Sequence, residues 1–400
     1  MSAPAPQTGS TRHGIILLLC AVMPIMAIIS LVPVLPLLLE EFAATPGSKF
    51  LVPIALTIPA LCVALFSPIA GWLSDKVGRK RLLIVSLLVY AAAGSAPLFL
   101  TDLKEIIATR FLLGIFEAAI MTVATTLIGD YFTGERREKW IGVQIATGSF
   151  AAIILIAAGG FLGEAFGSRG PFLLYVLAIP IAVAAAIILY EPLKTSNDPK
   201  TQAVTFPIKA VLPLILITAG VGLLFYSVVV QLGPILQLSG SVSPAMIGIA
   251  GAAANLGVVA GSLIFRRSIK QTGSALLAIG LVITAIGYAG AGIVESFIGI
   301  ALFAVIACIG SGLMLPNMLA WIMRHLPDEI RGRGIGFWTG AFFLGQFVAP
   351  IIAAALTANI GGLANMLLIY AALAAAGGLL TLFAHRTRKK QPLEQGLVEG

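Results

Sequence analysis

Two charged side chains stand in one otherwise apolar run, in Arg110-Phe-Leu-Leu-Gly114-Ile-Phe-Glu117-Ala118. Steps of four and three residues nearly complete two helical turns, so Arg110, Gly114 and Glu117 share one helix face. An ionised side chain at mid-bilayer costs at least ~2.5–3.5 kcal/mol, so Glu117 must be neutral, paired or beside water there. A carboxyl poised between those states can carry a proton from one side to the other. Glu117 is therefore the candidate proton carrier, and Arg110 its candidate companion. The plainer readings are a structural Arg110–Glu117 pair, or an Arg110 bonded only to backbone carbonyls.

A second constellation lies between apolar runs, in Gly71-Trp-Leu-Ser-Asp75-Lys76-Val-Gly78-Arg79-Lys80-Arg81. Gly71 suits close helix approach. Arg79 and Arg81 are placed to pair with Asp130 and other charges of the next connection on the same side, where Arg137 also sits. Such a set can act as a charge latch; the plainer reading is that its cations merely set topology. Catalytic chemistry finds little support. His13, His325 and His385 lie far apart near run ends, and Cys20, Cys62 and Cys308 fall inside apolar runs without metal-ligand spacing. No G-x-x-x-x-G-K-[ST] phosphate loop occurs. Neither an enzyme nor an ATP-driven pump is expected, and no metal or cofactor.

The elements that must position these residues are membrane spans. Of 400 residues, 59% are hydrophobic and 10% charged, with mean hydropathy +1.03; a soluble domain carries about 25% charged residues. Twelve apolar runs, at 14–39, 50–73, 82–100, 106–128, 140–162, 172–189, 211–232, 245–265, 274–294, 297–323, 334–356 and 363–383, each approach the ~20 residues that cross the bilayer as a helix. The first is too long for a signal-peptide core and reads as a retained span. The net charge of +8 sits in short clusters between runs, without interleaved aromatics, which argues against nucleic-acid binding. Those clusters, among them Arg136/Arg137/Lys139, Arg266/Arg267/Lys270 and Arg386/Arg388/Lys389/Lys390, occupy the even-numbered connections and the C-terminal tail. The odd-numbered connections hold only Lys49, Lys104 and Arg169. The positive-inside rule then places both termini in the cytoplasm, with the chain multi-pass in a cell inner membrane.

The polar stretch 191–209, with three prolines, reads as a cytoplasmic linker between an N-terminal six-helix bundle at 1–190 and a C-terminal one at 210–385, followed by a cytoplasmic tail at 386–400. Glu135-x-Arg137-x-Lys139-x-Ile141-Gly142 recurs as Glu329-x-Arg331-x-Arg333-x-Ile335-Gly336, as a duplicated transporter would show.

The loop from Gly71 to Arg81 closely resembles the G-x-L-a-D-r-x-G-r-[KR] signature of the major facilitator superfamily, and span number, linker and duplication fit that family along the whole chain. The resemblance implies an all-α membrane protein of twelve transmembrane helices in two pseudo-symmetric six-helix bundles. It also implies a latch built from Gly71, Asp75, Gly78, Arg79, Arg81, Asp130 and Arg137 that breaks when the halves rock. In the second half Phe265 replaces the acid, so that copy is degenerate. Arg110-x-x-x-Gly114-x-x-Glu117-Ala118 resembles the form seen in organic-anion symporter and spinster-type branches, where the acid is implicated in proton coupling. The fifth span departs from the antiporter pattern: Gly148, Gly159, Gly160 and Gly163 are present, but Leu155-Ile156 stands where Gly-Pro is expected. Polar residues expected to line a substrate cavity are Tyr226, Gln231, Asn255, Asn317, Trp321 and Gln346. The expected function is proton-driven movement of a small organic solute by alternating access, with export favoured by an apolar cavity. The alternatives are an organic-anion/proton uptake symporter, an uncoupled facilitator or a non-transporting sensor. The expected partners are the solute, protons and membrane lipid, and the chain is expected to act as a monomer.

Overall fold

The computed structural model describes residues 9–192, 207–268, 273–326 and 331–395, and among these all regular structure is helical. The first pass is α1 (Thr11–Ile29), a 3₁₀ turn (Val32–Val34) and α2 (Leu35–Glu41). It breaks where Pro33 lacks an N–H and the Ser30 hydroxyl donates back to the Met26 carbonyl at 2.7 Å. Next come α3 (Ser48–Val77), α4 (Arg79–Ser95), α5 (Leu103–Tyr131) and α6 (Gly134–Phe166). A 3₁₀ segment (Gly167–Leu177) leads into α7 (Ala178–Ile188). The second half holds α8 (Ile208–Val230), the short α9 (Leu232–Leu236), α10 (Pro244–Arg267), α11 (Gly273–Ile293), α12 (Phe297–Arg324), α13 (Arg331–Asn359) and α14 (Leu363–Gln395).

By length and composition alone, residues 134–188 form one apolar stretch and the described residues hold 11 such stretches. The chain reverses inside that stretch at Gly167, whose φ of 69° is open to glycine and costly for other residues. The following segment folds back so closely that a Cβ on Gly170 would lie 2.0 Å from the Leu162 carbonyl oxygen. The fifth and sixth passes are therefore separate, which makes twelve. The last helix runs on to Gln395, past the apolar stretch that ends at Phe383, so positions 386–395 are helical; 396–400 and the linker's 193–206 lie outside the described residues.

Two compact units result, residues Met1–Lys200 and Thr201–Gly400. In the first, α5 packs on α1, α3 and α4, while α6 packs on α1 and α7 on α4. In the second, α12 packs on α8, α10 and α11, while α13 packs on α8 and α14 on α11. Replacing α1 by α8, α3 by α10, and so on in order, turns one list into the other. The duplication read in the loop motifs thus extends to the packing.

Water drives none of this inside lipid, so helices associate where small residues let backbones touch. A Cβ on Gly345 would lie 2.3 Å from the Ala219 carbonyl oxygen, and one on Gly222 would lie 2.8 Å from that of Phe342. These two glycines bring α13 onto α8. A Cβ on Gly340 meets nothing within 4 Å. Gly345→Val is expected to collapse the monodisperse peak in size-exclusion chromatography. Gly340→Ala should keep the peak and melt at the same or a higher temperature, since glycine costs a helix ~1 kcal/mol relative to alanine.

Candidate functional site

Helix α5 starts cleanly, with the Asp102 carboxylate accepting from the Lys104 N–H at 2.8 Å. Its motif residues then meet α3 at one crossing. A Cβ on Gly114 would sit 2.6 Å from Pro59 Cα and 2.8 Å from Cys62 Cβ, so only glycine allows this approach. Arg110 is 1% exposed. Its Nε donates to the Ala55 carbonyl at 3.1 Å, Nη1 to the Tyr175 hydroxyl oxygen at 2.7 Å, and Nη2 to the Ala27 carbonyl. The Tyr175 hydroxyl in turn donates to Ala27 at 2.9 Å, and Tyr90, its ring 5.4 Å from that of Tyr175, donates to Met23 at 2.5 Å.

Both carbonyls that receive Arg110 lack their usual helical donor. The Ala55 oxygen would be bonded by the N–H of residue 59, which is proline. The Ala27 oxygen lies in the last turn of α1, where the chain breaks and Leu31 N–H bonds Ile28 instead. Pro59 and the break at 30–34 therefore manufacture the acceptors that a buried guanidinium requires.

Glu117 is fully buried, and neither carboxyl oxygen has a hydrogen-bond partner. Arg110 does not pair with it. Two helical turns put the residues ~10 Å apart along the axis, and helical side chains lean toward the N-terminus, so Arg110 leans away from Glu117. Of the two plainer readings, the ion pair is absent, and the arginine bonded only to backbone carbonyls is met in part, since Tyr175 also accepts from it.

At the other constellation, Gly78 adopts φ 103° and opens α4. The Glu191 carboxylate accepts from the Arg79 N–H at 2.5 Å and the Lys80 N–H at 3.0 Å, capping that helix. The Arg79 guanidinium bridges two acids, Asp75 at 3.1 Å and Asp130. Asp130 belongs to the last turn of α5, where the helix end itself attracts a cation. Asp75 is 62% exposed, so its share is worth at most ~1 kcal/mol. Arg81 makes no ion pair among the described residues: two residues on from Arg79 it has turned ~200° around α4 and is exposed. Arg137 lies over Gly129 and likewise pairs with no acid among the described residues. At Gly71 a Cβ would meet only Thr122 Cγ2, at an ordinary 3.7 Å. The tight approach expected there occurs deeper, at Gly114.

The polar residues of the second unit fall into separate groups. Tyr226 and Phe225 of α8 meet Phe342 of α13, with ring centroids 5.2 and 6.1 Å away, and Trp338 stacks on Phe342 at 5.6 Å. Gln346 is 2% exposed one turn further along α13, its Oε1 without a partner. Asn255 spends its amide on Gly251 of its own helix, at 3.0 Å. Asn317 donates to the Gly273 carbonyl at 2.8 Å and Trp321 packs over the same glycine, so both secure the start of α11. Gln231 is buried at the end of α8. Sequence reasoning missed Tyr175, Tyr90, Glu191 and the Trp338–Phe342 stack. Only Glu191 carried a signal, as an acid just past a span on the side of the basic clusters.

A family model, Major Facilitator Superfamily, matches residues 17–273 and 214–399. The multi-drug resistance efflux pump PmrA of Streptococcus pneumoniae is 27% identical over 358 residues, covering 82% of this chain and 85% of that protein. The bacillibactin exporter of Bacillus subtilis is 25% identical over 349 residues, covering 82% and 86%. The crystal structure of a bacterial homologue of the human lysosomal transporter Spinster, inward-facing and occupied, superposes with a TM-score of 0.75 at 17% identity, over 93% of this chain and 97% of that one. Twelve passes in two like-packed units and a family model spanning nearly the whole sequence agree: the chain belongs to the Major Facilitator Superfamily.

Proposed function

We propose that this protein exports a small amphipathic organic solute across the cell inner membrane by alternating access, driven by protons that bind and leave Glu117. The observation that carries the reading is Glu117 itself, fully buried with two unpartnered oxygens. A carboxylate left bare in that place would cost several kcal/mol, so in this conformation Glu117 holds its proton. Release requires a conformation that gives it water or a donor, which ties the proton to the rocking of the helices.

Export is supported by the likeness to the efflux pump PmrA and to the bacillibactin exporter. Uptake of an organic anion is less well supported, because Arg110 is 1% exposed and its donors already serve two carbonyls and Tyr175. The trio Asp75–Arg79–Asp130, set by the Glu191 cap on α4, serves as the cytoplasmic latch, and Arg81 and Arg137 are peripheral to it. Both termini lie in the cytoplasm, and the working unit is a monomer.

Proteoliposomes with an imposed pH gradient of either sign and a panel of amphipathic dyes test this reading. Wild-type flux should follow the sign of the gradient, and Glu117→Gln should lose that response while still exchanging dye at equal pH. Dye flux indifferent to the gradient in the wild type would leave a facilitator, and no flux for any solute would leave a sensor.

The latch is tested by comparing Arg79→Ala with Arg81→Ala in the same vesicles. State-selecting contacts are typically worth about 1–3 kcal/mol, so Arg79→Ala should slow transport about fivefold or more, whereas Arg81→Ala should fall within about twofold of wild type. Equal loss in both would reduce the cations to topology signals.

A further inference from the structure

Four helices of the second unit, α8, α11, α13 and α14, line a side-open cavity of about 460 Å³. That volume is in the range of ligand pockets, roughly 300–1,000 Å³. Its walls include Gly220 and Leu224 of α8, Leu281 of α11, Leu356 of α13 and Leu373 of α14. No lining residue is charged, and the one lining side chain with a polar atom, Tyr370, is 2% exposed with its hydroxyl buried.

We propose that this chamber holds one acyl chain of a membrane phospholipid. Its mouth gives the first reason. Leu373, 62% exposed, belongs to a row on α14 with Leu368, Leu379, Leu380 and Phe383, all large, apolar and exposed, which is the face a peripheral span turns to hydrocarbon. Whatever fills the chamber therefore comes from the bilayer. The lining gives the second. A site for a solute that must later return to water carries a few placed polar groups to orient it; here there is a single one, the Tyr370 hydroxyl, and it is buried. An acyl chain needs none.

Gly220 supplies an independent sign that the space is kept open. Two residues on, Gly222 is demanded by the backbone of Phe342, 2.8 Å from where its Cβ would be. Gly220 meets nothing within 4 Å, although a glycine at mid-helix costs stability. Packing within the protein does not ask for it, yet any larger residue would project into the chamber. An empty apolar space of this size forfeits dispersion contacts on every wall, and an acyl chain restores them. The bound chain then acts as part of the unit's core and fastens α14 against α8.

The test uses full-length protein in vesicles doped with phosphatidylethanolamine bearing a diazirine midway along one acyl chain. After irradiation, peptide mapping should find label on the chamber segments around Leu224 and Leu373. Gly220→Leu, which has room for its side chain, should cut that label to the level of an unrelated lipid-facing site such as Leu256 on α10, and so should Leu373→Trp at the exposed mouth. Adding phosphatidylethanolamine to delipidated protein should raise the melting temperature of the wild type and leave that of Gly220→Leu unmoved. Unchanged chamber labelling in both variants would overturn the assignment. So would a diazirine-bearing aromatic amine that labels the chamber and displaces the lipid, since the space would then belong to a solute. Should Gly220→Leu fail to fold, Leu373→Trp and the wild-type displacement experiment still decide. None of these readouts depends on whether protons drive transport.

Discussion

A guanidinium enclosed by helices in hydrocarbon must find acceptors, and in a helical protein nearly every carbonyl is already engaged. The first unit is organised around that demand. Pro59 strips the Ala55 carbonyl of its donor, and the early end of α1 frees Ala27, so two helices each present one oxygen at the depth where α5 carries Arg110. Tyr175 brings the sixth pass into the same knot by accepting from Arg110 and donating to Ala27. Features usually described as bends thereby become binding groups. Proline and helix break weaken their own helices and stabilise the contacts between helices, which suits a bundle that must keep its shape while it moves as a body.

The second unit repeats the packing and omits the charge. In α12, the turns equivalent to those of Arg110, Gly114 and Glu117 carry Ala304, Cys308 and Ser311, all buried. The acid of the first latch loop has Phe265 as its counterpart. Cohesion there comes instead from backbone contact at Gly222 and Gly345 and from the rings of Phe225, Tyr226, Phe342 and Trp338. One duplicated architecture thus holds together in two ways, by a buried ionic knot in one copy and by close apolar packing in the other. The division bears on the proposed function, because among the described residues a buried carboxyl inside a span occurs in the first copy and not in the second.

How much of this could be read from residues alone depended on the range of the interaction. Span number, duplication and the pairing of Arg79 with Asp130 follow from hydropathy and from charges spaced along the chain, and they were legible; Asp75 entered the latch through the family's loop signature, and its contact with Arg79 came from the structure. The reversal at Gly167 was placed correctly by two runs, though composition alone merges them. Arg81 and Arg137 were over-assigned because a cluster of cations in sequence does not reveal which of them faces the acid; the 100° step of the helix decides that. The partners of Arg110 were out of reach. They are backbone oxygens 55 and 83 residues away, and nothing in the identity of Ala27 or Ala55 marks them. Pro59 is visible in the sequence, but its effect on a carbonyl four residues earlier matters only once α5 is known to lie against it. The amides of Asn255 and Asn317 show the same limit: side chains expected to line a solute cavity are used on a neighbouring turn and on the start of α11.

The knot around Arg110 also explains why its acid stands alone. Helix geometry turns the guanidinium away from Glu117 and the carbonyls hold it there; a buried pair would instead lock the acid's proton state in place, since removing either charge strands the other at a cost of several kcal/mol. By satisfying Arg110 with neutral oxygens, the fold leaves Glu117 uncommitted on the same helix face, two turns away. Under the coupling proposed above, its protonation follows what the surrounding helices offer in each conformation rather than a fixed hydrogen-bond partner. The proposed role of Glu117 needs a carboxyl that no cation has bonded, and Ala27, Ala55 and Tyr175, by engaging the donors of Arg110, leave the guanidinium to act on it only through space.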